Sequence, residues 1–60
     1  MQLNNAQEEI MIAAQVGYEA YCKYTGWKSI VTGDSLPLWN HLSPAVVNAW
    51  YAAADAILKA

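Results

Sequence analysis

Cysteine is almost missing from this chain: Cys22 stands alone among 60 residues, so no intramolecular disulfide can form. The single His41 with that one cysteine gives no zinc-ligand spacing, and no metal site or cofactor is expected. Arginine is absent altogether, and Lys23, Lys28 and Lys59 are outnumbered by five acids, leaving a formal charge of −2. That is too little positive charge to neutralise a nucleic-acid backbone, so DNA and RNA are excluded as expected partners. Charge of either sign is scarce, 13% of residues against roughly 25% in an average soluble domain. Long apolar runs are lacking too. The first cluster, Ile10 to Ala14, is interrupted by Gln15 and Glu19, and no basic segment precedes it, which excludes a signal core and a membrane span. The expectation is a cytoplasmic protein without a membrane partner. Internal repeats, linkers and low-complexity tracts are also absent.

What is present is apolar: 57% of the residues are hydrophobic. A chain of this length makes one domain, 1–60, and buries only about 60% of the surface it exposes when unfolded. With neither disulfide nor metal to add stability, association into a homo-oligomer is the expected route.

Periodicity predicts an all-α helical hairpin. Over 5–24, Ile10, Ala13, Ala14, Gly17, Ala20, Tyr21 and Tyr24 recur at helical spacing, Asn5 is placed to cap the start with Glu8 three residues on, and Gly26 supplies a stop. Glu8, Gln15, Glu19 and Lys23 form the polar stripe, with Glu19 and Lys23 ordered for an i,i+4 ion pair. Ile12 falls inside that stripe beside Met11, which marks the two as candidate interface residues. A second helix is predicted over 43–59, capped by Ser43 with Pro44 at its first position. Its apolar face, which includes Val46, Val47, Trp50, Tyr51, Ala54, Ile57 and Leu58, is too broad for one neighbour, so Tyr51 and Leu58 join the candidate interface with another copy.

The connecting loop, 25–42, concentrates the candidate chemistry. It holds two of the three tryptophans and two of the three glycines. Gly33-Asp34-Ser35 reads as a turn, Leu36-Pro37 as extended, Ser29 to Thr32 as a brief β-prone segment, and Trp39 to Leu42 as one short helical turn. Trp27 and Trp39 offer flat faces on which a planar group stacks, or else they roof the two-helix core. Lys28 beside Ser29 and Thr32 suits a phosphate or carboxylate. With Tyr21 these form the candidate ligand site: Tyr21, Trp27, Lys28, Ser29, Thr32 and Trp39. No catalytic residue is expected. His41 has no acidic sequence neighbour to orient it, no nucleophile triad is apparent, and Cys22 inside a helix reads as a small apolar filler despite the adjacent Lys23.

The pattern Tyr18-x-x-Tyr21, Thr25-Gly26-Trp27-Lys28-Ser29, Thr32-Gly33, Leu36-Pro37-x-Trp39-x-x-Leu42, Ala49-Trp50 and Ala53-Ala54 resembles a group of small phage and prophage proteins. More distantly, the order of helix, Gly-Trp, proline-containing loop, aromatic and second helix is similar to the ryanodine-receptor-type repeat domain, prokaryotic versions of which accompany nucleotide-signalling defence systems. The resemblance implies a phage-encoded protein that sequesters a nucleotide-like anion and so blunts a bacterial defence. The alternative expectation is an inhibitor or adaptor that docks on a host protein through exposed apolar residues.

Overall fold

The computed structural model describes residues 5–60, with side chains from Gln7 onward. Two helices, α1 (Asn5–Thr25) and α2 (Pro44–Lys59), pack against each other as a helical hairpin, with a 3₁₀ turn at Trp39–His41 in the connection. Among the described residues there is no strand, and one isolated antiparallel bridge pairs Lys28 with Ser35. Asn5 is itself helical, so the position that caps α1 lies outside the described residues.

The end of α1 follows from Gly26. In a left-handed conformation (φ 71°) it lets its own N–H reach the Lys23 carbonyl at 3.3 Å, while the Trp27 N–H reaches the Cys22 carbonyl at 2.7 Å. These are the two bonds of a Schellman closure, which satisfy carbonyls the helix would otherwise leave open. The Thr25 hydroxyl also donates to the Cys22 carbonyl at 3.1 Å. At the other end of the connection, Ser43 is extended (φ −66°, ψ 153°) and its hydroxyl accepts from the Val46 N–H at 3.4 Å, with Pro44 next, as the sequence predicts.

The core is narrow. Ala14, Tyr18 and Cys22, one helical turn apart along α1, are buried together with Ala54 of α2. Three of these four are small, so Tyr18 and the tryptophans around it supply most of the bulk. The Tyr18 ring lies 6.4 Å from Trp27, 5.8 Å from Trp39 and 5.6 Å from Trp50, edge-on to the first and last and tilted to the second. Such geometries set the positive edge of one ring against the negative face of another.

The hairpin therefore has two unlike sides. On one, the loop and the 3₁₀ turn lie over the helices, and Trp39 meets Tyr51 at 6.2 Å. On the other, Trp50 lies against α1 itself: a Cβ on Gly17 would stand 3.7 Å from its ring, and Tyr21 is 5.8 Å away.

The predicted pairing of Glu19 with Lys23 is corrected by the structure. The Glu19 carboxylate accepts instead from Gln15 Nε2 at 3.3 Å, an equally local partner one turn back. The ion pair among the described residues is Lys59 with Asp55, at 3.1 Å on the surface of α2.

Candidate functional site

The connection is a closed loop built on backbone bonds. Trp27 has a positive φ of 62°, rare for a bulky side chain, and follows Gly26 in the same region, so the chain reverses within two residues. The Schellman bond to the Trp27 amide and the packing of its ring on Tyr18 hold it there. The Trp27 carbonyl then accepts from the Leu36 N–H at 2.8 Å, and the Ser29 N–H donates to the Asp34 carbonyl at 2.7 Å, which zips the two arms together.

The tip turns earlier than the sequence predicts. Ser29 to Thr32 is not extended, because the Ser29 hydroxyl accepts from the amides of Val31 and Thr32, both at 3.2 Å, and bends the backbone at once. The Gly33 N–H closes the turn on the Ser29 carbonyl at 2.8 Å, with Gly33 in the left-handed region (φ 77°). Thr32 accepts from the Asp34 N–H at 3.2 Å. Two β-branched residues are thereby lifted to the apex, and Ile30 is 75% and Val31 88% exposed.

Beneath the loop, Tyr18 fixes its return arm. The phenol donates to the Pro37 carbonyl at 2.6 Å, which ties residue 37 to the middle of α1. Burial, and after it the neighbouring Cys22 thiol, pushes the Tyr18 phenol up to about 12, so it stays protonated and donating throughout the physiological range.

The predicted ligand residues occupy several environments. Tyr21 is half-buried against Trp50; Trp27 and Trp39 are half-buried and both touch Tyr18, so they roof the core. The hydroxyls of Ser29 and Thr32 cap loop amides. Lys28 is exposed and makes no ion pair among the described residues. A shallow groove of about 270 Å³ is lined by Gln7, Ile10, Met11 and Tyr51, and none of the six predicted ligand residues contributes to it. Two of the predicted interface residues, Met11 and Tyr51, meet at that groove, whereas Ile12 is exposed, at 63%, and lies by periodicity among the polar residues on the outer side of α1. Leu58 is 47% exposed on α2.

His41 is exposed, Cys22 is wholly buried, and no group of three His, Cys, Asp or Glu side chains suited to a metal ion occurs among the described residues. No described helix is long and apolar enough to cross a membrane. Sequence reasoning did not single out Ile30 and Val31. Their signal was present, two β-branched apolar residues between hydroxyl residues in a loop, but it read as extended backbone. Comparison of the chain with protein-family models, curated proteins and solved structures returns no match.

Proposed function

We propose that the chain is a non-catalytic interaction module that docks on a protein surface through the tip of its closed loop, with Ile30 and Val31 as anchors. The observation that supports this reading is the exposure of both side chains on a turn whose backbone is bonded internally. Holding apolar side chains out of contact in water has no benefit to the fold, and a preordered loop loses little entropy when it binds. The partner chemistry that fits is an apolar pocket on a protein, with room at its rim for the ammonium of Lys28 and the carboxylate of Asp34 on the loop's two arms. In a phage setting, which the pattern of residues suggests, the partner is a host protein.

Burying one such side chain contributes about 1.5–3 kcal/mol. Ile30→Asp with Val31→Asp is therefore expected to weaken capture of a bacterial host protein from lysate by about 30-fold or more, from about 2 kcal/mol at least. Far-UV circular dichroism should be unchanged, because neither side chain is buried in the fold. Capture that survives the double substitution would rule out the tip as the anchor.

A second reading, sequestration of a planar anionic small molecule, draws support from the exposed Lys28 beside the half-exposed Trp27. Native mass spectrometry after exposure to a small-molecule extract separates the two. A retained mass that is lost in Lys28→Ala supports sequestration, and protein capture insensitive to Lys28→Ala supports docking.

A further inference from the structure

The side of the hairpin that the loop leaves uncovered is apolar across both helices. By helical periodicity Tyr24 of α1 and Val46, Ala53 and Ile57 of α2 lie on the same side as the contact of Trp50 with Gly17. Tyr24 is 91% exposed, Ile57 73% and Val46 39%, with Ala53 exposed and Trp50 half-buried. Among the described residues no charged side chain interrupts this face. Glu8, Glu9, Glu19 and Lys23 lie toward the outer side of α1, and the Asp55–Lys59 pair sits on the opposite edge of α2.

The dimensions of the molecule indicate what covers it. The shortest dimension is 17 Å, so the two helices form a single layer. A layer of two helices with one bare apolar side is half of a four-helix bundle.

We propose that this face is a self-association surface: two copies stack their uncovered sides about a two-fold axis and form a four-helix bundle. A second copy is the fitting occupant because the face is apolar on both helices, so two copies meet it without like-charge repulsion, and because among the described residues no charge is offered there to steer an unlike partner. The loop tip plays no part in this contact, so the inference stands apart from the docking function.

Sedimentation equilibrium of the full chain is expected to give twice the chain mass of 6.6 kDa. Ala53→Asp should weaken the dimer at least a hundredfold, while Ile12→Asp and Ile30→Asp leave it intact. A mild substitution guards against a variant that merely unfolds. Ala53→Cys adds one reactive thiol, since Cys22 is wholly buried, and its labelling by a maleimide should slow at least tenfold between dilute and concentrated protein. Ala56→Cys, on the outer side of the same helix, should label at one rate throughout. A monomer at millimolar concentration overturns the proposal, as does a dimer in which Ala53→Cys labels as fast as Ala56→Cys.

Discussion

Tyr18 carries more of this molecule than any other residue, because one side chain touches all three tryptophans and bonds the loop as well. Removing only its hydroxyl, in Tyr18→Phe, deletes the 2.6 Å bond to the exposed Pro37 and is expected to cost about 1 kcal/mol in denaturant unfolding. Tyr18→Ala removes the ring and is expected to cost about 3–5 kcal/mol, most of what a domain this small has. The phenol also predicts a pH dependence. Its folded pKa of about 12 lies above the ordinary 10.0, so the folded chain holds the proton more tightly than the unfolded one. That contribution is fully present below pH 10 and is lost as pH rises through 12. Denaturant midpoints measured from pH 8 to 12 should fall above 10, and Tyr18→Phe should flatten that fall. A midpoint equally steep in Tyr18→Phe would place the titrating group elsewhere. In the sequence Tyr18 stood out only through its spacing to Tyr21, and nothing local set it apart from the other tyrosines of that helix. Its central role depends on where the loop returns, which is a tertiary fact.

The helices were legible at the scale of elements because their determinants are local: the Ser43-Pro44 start, the Gly26 stop and the apolar period between them all act within a few residues. Ser43→Ala should cost about 1 kcal/mol, since the Val46 amide loses its acceptor, and thermal unfolding with loss of helix signal measures it. Gly17 tests a different local cost. A methyl there would meet the Trp50 ring at an ordinary 3.7 Å, while glycine inside a helix is less favourable than alanine by about 0.5–1 kcal/mol. Gly17→Ala is therefore expected to raise stability by that amount in the same experiment. The loop was the least legible element. Its hydroxyls read equally well as ligand contacts or as backbone caps, and only the bonds from Val31, Thr32 and Asp34 amides assign Ser29 and Thr32 to capping. The same bonds move the turn to the β-branched pair, against its strand propensity.

For the whole molecule, composition already posed the question of how 57% hydrophobic residues are hidden in a chain that buries four of its described apolar side chains well. The sequence pointed to a second copy, but it could not say through which side, because that depends on which face the loop covers. If two hairpins complete one core, folding and association are a single equilibrium, and stability depends on concentration by mass action. Each tenfold rise in protein adds about 1.4 kcal/mol to the dimer. Unfolding entropy is about 2.1 cal/mol/K per residue, roughly 250 cal/mol/K for two chains, so the midpoint should rise by about 6 °C per tenfold increase. Scanning calorimetry from micromolar to millimolar protein measures this directly. Ile12→Asp should keep the slope, since its side chain points away from the uncovered face, whereas Ala53→Asp should abolish it and lower the midpoint at every concentration. A wild-type midpoint independent of concentration, with unfolding fully reversible, would mean that one hairpin holds itself together and that its bare face is open to another kind of partner.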